Sequence, residues 1–156
     1  MRITEFLKPE AIVLQQDAQS AEEVIRLLGT KLHDLGYVKE GFIEATLRRE
    51  AEMPTGLPLA GEFHAAIPHV DIEYVHRSAL ALATLSHPVV FYNMVEKDQE
   101  VLASLVIMLA LDQPKSQIEM LQQVSGILQN PDLIRQLMAA RTPQEVLTLL
   151  DSQAAP

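Results

Sequence analysis

Hydrophobic and polar positions in this chain follow two periods, and the switches between them mark out the elements. The first apolar run, AIVLQQ from Ala11 to Gln16, has the length and β-branched content of a strand, although so short a window also admits a helix start. A helical period then takes over. Val24, Leu27, Leu28, Lys31, Leu32 and Leu35 recur at helical spacing, introduced by Ser20 and Glu23 in capping-box arrangement and stopped by Gly36. A second helix is predicted from about Lys39 to Met53, with Phe42, Ile43 and Leu47 on its apolar face. It must end before Pro54, because the residue preceding a proline disfavours the αR region. Arg48, Arg49, Glu50 and Glu52 fall in its last turns.

The next segment, PTGLPLAG from Pro54 to Gly61, is punctuated by prolines and glycines and is expected to be a loop. It leads into EFHAAIPHVD, Glu62 to Asp71, whose short apolar run ends at Pro68. Ser78 to Ser86 and Pro88 to Met94 are predicted as two strands separated at His87 and Pro88. Val101 to Leu111 suits a fully buried strand, though its periodicity alone also allows a helix. From Pro114 the pattern is helical again, with Ile118, Leu121, Val124, Ile127 and Leu128 expected to face inward. Short helices follow at Pro131 to Ala139 and Pro143 to Leu150, where Asn130 and Thr142 stand as N-caps before first-turn prolines. Strands framed by helices imply an α/β fold: a single layered domain over residues 1–156, with a mixed β-sheet flanked by helices on both faces.

Composition narrows the chemistry. At 156 residues with 48% hydrophobic content, the chain can bury a sizeable core. Its 21 acidic against 12 basic residues give a net charge of -9, which repels nucleic acid and supplies no polybasic patch for a membrane surface. An acidic ligand must therefore be held by cations placed locally. The absence of cysteine excludes disulfides, thiolate metal sites and a thiol nucleophile. The N-terminal residues mix charges among apolar positions, unlike a secretion signal, and the longest apolar run falls short of the roughly 18 residues of a membrane span. A cytoplasmic protein is expected.

Five histidines remain as candidate chemistry: His33, His64, His69, His76 and His87. A zinc site from His64, His69, His76 and Asp71 is disfavoured, because the histidines are five and seven apart and Pro68 forbids a regular helix through the pair. The chain contains neither a nucleophile elbow nor a phosphate-cradling glycine loop. No metal or cofactor is expected. What remains is histidine as a nucleophile, since imidazole can accept a phosphoryl group at one ring nitrogen and surrender it near neutral pH. His69 directly follows Pro68, where a strand should end and present its next residue to the surface. Arg49 is a candidate cation for phosphoryl oxygens, the alternative being a solvated helix-end residue paired with a glutamate. Asp71 either orients the His69 imidazole or caps the following turn. His64 is expected to be structural or at the pocket edge, and His76 and His87 to be surface or turn residues.

Arg49, Glu50, Ala51, Glu52, Met53, Pro54, Thr55 and Gly56, followed by Ala66, Ile67, Pro68 and His69, resemble the IIA components of the fructose–mannitol class of the bacterial phosphoenolpyruvate:sugar phosphotransferase system. The likeness continues through SLVIMLAL and the segment Leu128 to Asp132, and is strongest to the galactitol-type branch. It implies that His69 accepts phosphate from the phospho-HPr carrier and passes it to a cysteine of a IIB component, which phosphorylates the sugar as IIC transports it. The absent cysteine agrees with a chain that carries no fused IIB domain. Arg49 matches the arginine that steadies the phosphoryl oxygens. Gln117 stands where mannitol and fructose members commonly carry a second histidine; it can donate a hydrogen bond but cannot titrate near neutral pH. Val70 replaces a small residue found after the acceptor in many members. Nitrogen-type IIA relatives share the histidine but act by binding partners according to phosphorylation state, and this regulatory role is the alternative. Leu57, Leu59, Phe63 and Ile72 are candidates for an apolar docking rim around His69, the alternative being that they belong to the core.

Overall fold

A computed structural model describes residues 2–154. Its elements in chain order are α1 (Ile3–Phe6), β1 (Leu7–Gln16), α2 (Ala21–Asp34), α3 (Phe42–Glu52), β2 (Gly56–Leu57), β3 (His64–Ala66), β4 (Ala79–Tyr92), β5 (Glu100–Ala110), α4 (Pro114–Leu128), α5 (Pro131–Ala139) and α6 (Pro143–Ala154), with a 3-10 turn at Ile72–Tyr74. Five strands form one mixed sheet in the order β1-β4-β5-β3-β2. β1 runs parallel to β4 and β3 parallel to β5, while β4 and β5, and β2 and β3, are antiparallel.

Both faces of the central strands are buried, which explains their continuous apolar sequences. The two faces differ in side-chain size. On β4, Leu80 and Leu82 turn toward a core built with α4, α5 and α6, as do Leu105, Ile107 and Leu109 of β5. Ala79, Ala81 and Ala83, with Ala103, Val106, Met108 and Ala110, turn toward α2 and α3. The small side chains on that second face let α2 and α3 seat close to the backbone that later carries the site.

The local signals operate as the sequence suggests. Ser20 Oγ accepts from Glu23 N–H at 3.1 Å, and the Glu23 carboxylate reaches back to Gln19 N–H at 2.9 Å. Gly36, at φ 84°, ends α2 with Gly36 N–H on His33 O and Tyr37 N–H on Leu32 O, a Schellman pair of bonds. Asn130 and Thr142 cap α5 and α6 through Leu133 and Glu145 N–H.

Several expectations change. The two strands expected around His87 and Pro88 are one strand, β4; its pairing with β5 shifts register between Thr84 and Val89, and this irregularity tolerates a proline that a regular ladder would reject. β1 starts at Leu7 rather than Ala11, and the loop from Pro54 contains the two-residue strand β2. Ile118 does not face inward but is 61% exposed, while Met120 takes the buried position in that turn. Of the candidate rim residues, Leu57, Leu59 and Phe63 pack partly buried against the core and Ile72 is half-buried, while Met53 and Ile118 are exposed.

Candidate functional site

The site is assembled where β3 ends. Ile67 N–H donates to Thr55 O at 3.2 Å on one side of the chain, and Pro68 O accepts from Leu109 N–H at 3.0 Å on the other. The segment Ile67–Pro68–His69 is thus pinned between the loop after α3 and the central strand β5. The Ile67 carbonyl then turns to the imidazole: His69 Nδ1 lies 2.8 Å from Ile67 O. A carbonyl only accepts, so Nδ1 carries the proton and donates, and the neutral ring keeps its lone pair on Nε2.

Arg49 meets that second nitrogen. Its Nη2 lies 3.5 Å from His69 Nε2, and its Nη1 lies 3.9 Å from Asp71 Oδ1. Arg49 Nε is buried and has no hydrogen-bond partner among the described residues. The arginine comes from the last turn of α3, which Met53 N–H closes on Arg49 O at 2.6 Å. Burial holds the His69 imidazole below its ordinary value, with the Arg49 charge acting in the same direction and the Ile67 carbonyl and Asp71 opposing it. The ring is therefore neutral, and so nucleophilic, at pH values where a solvated histidine begins to protonate.

Gln117, in the first turns of α4, donates through Nε2 to Val70 O at 3.4 Å. That amide nitrogen carries two hydrogens, and the bond to Val70 uses one. The structure therefore brings His69, Arg49, Asp71 and Gln117 together. Asp71 does not bond the imidazole; its carboxylate faces the guanidinium. Its side chain makes no cap to the 3-10 turn that follows. His64 lies at the other end of β3, where its Nδ1 accepts from Leu59 N–H at 2.9 Å and closes the loop. His33 sits at the end of α2 within 4 Å of Asp34 and Glu40 carboxylates, with Nδ1 3.9 Å and Nε2 3.7 Å away.

Sequence reasoning includes Glu50 and Thr55 in the motif but assigns neither a role. Both Glu50 oxygens are engaged by Thr55, one by its N–H and the other by its hydroxyl, each at 2.8 Å. Burial pushes the Glu50 carboxyl up, opposed by these bonds from Thr55 and by Arg49. The signal was present in the spacing: a glutamate in a last helical turn can reach over the helix end to a threonine five residues on. Gly56 follows for a steric reason, since a Cβ there would stand 2.6 Å from the Tyr92 carbonyl oxygen. Its own carbonyl accepts from Met94 N–H at 2.9 Å, which fastens the loop to the end of β4.

Taken chemically, the cluster offers an uncharged imidazole with a directed lone pair, a guanidinium beside it and an amide donor at its rim, which suits transient attachment of a phosphoryl group. No helix among the described residues is long and apolar enough to cross a membrane. The galactitol-specific EIIA component of Escherichia coli (strain K12) is 36% identical over 117 residues, covering 74% of this chain and 76% of that protein. The crystal structure of IIA mannitol from Escherichia coli is 29% identical and superposes with a TM-score of 0.75, covering 92% of this chain and 97% of that one. A complex of enzyme IIAMTL and phosphorylated enzyme IIBMTL from Escherichia coli matches at 28% identity and a TM-score of 0.76, covering 94% of this chain and 99% of that one. Residues 5–153 match the family described as phosphoenolpyruvate-dependent sugar phosphotransferase system, EIIA 2, and the chain belongs to that family, as a phosphotransferase component.

Proposed function

We propose that His69 is the phosphoacceptor of this phosphoryl-carrier component and that Nε2 is the atom phosphorylated. The observation that carries the assignment is the bond from His69 Nδ1–H to Ile67 O, which leaves the Nε2 lone pair facing Arg49. In the first half-reaction Nε2 attacks the phosphorus of phospho-HPr; the new N–P bond forms as the donor's N–P bond breaks. The proton stays on Nδ1, so no general base is required. Arg49 holds the phosphoryl oxygens in line through its Nη atoms, while Asp71 keeps the guanidinium from folding away. Gln117 offers its second amide hydrogen to a phosphoryl oxygen. In the second half-reaction a IIB cysteine thiolate attacks the phosphorus, and the electron pair of the breaking N–P bond returns to Nε2.

A IIB recipient is supported by the solved complex of a similar IIA with phosphorylated IIB, and a galactitol-type IIB by the 36% identical relative. The whole chain acts as one EIIA domain in the cytoplasm, without inserting into a membrane. Incubation with phosphoenolpyruvate, enzyme I and HPr is expected to add one acid-labile, base-stable phosphoryl group. His69→Ala should abolish it, and label retained in that variant rejects the assignment. Addition of a purified galactitol-type IIB should discharge the label to cysteine. A phosphorylated form that no IIB can discharge supports the nitrogen-type regulatory role instead.

A further inference from the structure

We infer that Glu50 is a positioning residue for His69: it sets the acceptor's tautomer and direction through Thr55 and Ile67 without touching the reacting atoms. The inference rests on His69 being the phosphoacceptor. Four hydrogen bonds make the connection. Thr55 N–H and Oγ–H both donate to the Glu50 carboxylate at 2.8 Å, Thr55 O accepts from Ile67 N–H at 3.2 Å, and Ile67 O accepts from His69 Nδ1–H at 2.8 Å. Leu109 N–H on Pro68 O, at 3.0 Å, is the opposing anchor, so the Ile67 carbonyl direction depends on where Thr55 is held.

Two features argue against a mere loop staple. A carboxylate partly withdrawn from water costs free energy, and Thr55 offsets that cost by occupying both oxygens. A solvent-exposed side chain could close the same loop without that cost. Engagement by Thr55 also keeps Glu50 from pairing with its neighbour Arg49, whose guanidinium is left to face His69 and Asp71. One glutamate thereby aims the nucleophile and leaves the cation to the phosphoryl group. The free imidazole in water prefers its proton on Nε2, so the tautomer with Nδ1–H needs such a fixed acceptor.

The test is NMR of the full chain with 15N-labelled histidine at neutral pH, alongside kinetics of transfer from phospho-HPr. In the parent chain His69 should show a protonated Nδ1 and a bare Nε2. In Glu50→Ala and Thr55→Val both His69 nitrogens should move toward averaged values, and kcat should fall about 10- to 100-fold with KM for phospho-HPr unchanged, as expected when a reacting atom is misplaced. Glu50→Gln and Thr55→Ser, which keep an acceptor and a hydroxyl, should recover the parent nitrogen signature and most of kcat. A folded Glu50→Ala or Thr55→Val with the parent signature overturns the inference even if its activity falls. If Glu50→Ala does not fold, Thr55→Val decides. A parent chain that phospho-HPr cannot label overturns the phosphoacceptor assignment, whereas the nitrogen signature tests the positioning role independently of labelling.

Discussion

The two histidines that bracket β3 stand five positions apart, and each makes one backbone hydrogen bond through Nδ1, yet the bonds run in opposite directions. His64 Nδ1 accepts from Leu59 N–H, so its proton must sit on Nε2. His69 Nδ1 donates to Ile67 O, so its lone pair sits on Nε2. One imidazole spends its lone pair on closing a loop; the other is left with a lone pair facing a guanidinium. Residue type does not separate them. The difference comes from which backbone group, donor or acceptor, lies within reach of the ring, and that is a property of the turn each one follows.

The comparison can be broken at several places. The largest effect is expected from His69→Ala, which should eliminate acid-labile labelling by phospho-HPr, while His64→Ala should still take up label; loss of label only in the His64 variant would invert the two roles. Next, Arg49→Gln should slow transfer by about 100-fold, in the range found when a single donor to a developing charge is removed. Arg49→Lys should recover only part of that rate, because an ammonium cannot span His69 and Asp71 as a planar guanidinium does.

A smaller effect lies in the pH response. Because burial lowers the His69 value below the ordinary 6.5, its NMR titration midpoint should fall below 6.5. Folded protein then binds fewer protons at this site than unfolded chain does, so stability contributed by neutral His69 is present above pH 6.5 and declines as pH falls through the lower folded value. Denaturant titrations across that window should show a shallower decline for His69→Ala. The smallest effect is expected from His64→Ala, about 1 kcal/mol of stability by chemical denaturation, the usual worth of one hydrogen bond whose donor is then left unpaired.

Much of this architecture is visible along the chain. The helix limits around α2, α5 and α6 are local, since the caps Ser20, Asn130 and Thr142 and the stop at Gly36 act on neighbours three or four residues away. The split expected at Pro88 does not occur, because a proline reads as a break until the partner strand shows an irregularity that accommodates it. Ile118 departs from expectation for a related reason: a helical period allows either neighbouring stripe to face the core, and the core beneath α4 takes Met120.

The candidate site divides along the same line. His69 after a proline and Arg49 near a helix end are legible as residue types in a suitable pattern, and the motif around them joins them to one family. Their contact is not legible, since it spans 20 positions and depends on a loop that Gly56 lets lie against Tyr92. The approach of Gln117 to Val70 spans 47 positions, and the redirection of Asp71 from ring to guanidinium follows from where α3 ends. Sequence alone set the periodicities, caps, charge and available nucleophile, because those are short-range or additive properties. The acceptor of the His69 proton is only two residues away, but its direction came from the fold, because Thr55 and Leu109 hold the Ile67–Pro68 backbone from elsewhere in the chain and the guanidinium facing the lone pair comes from 20 positions off.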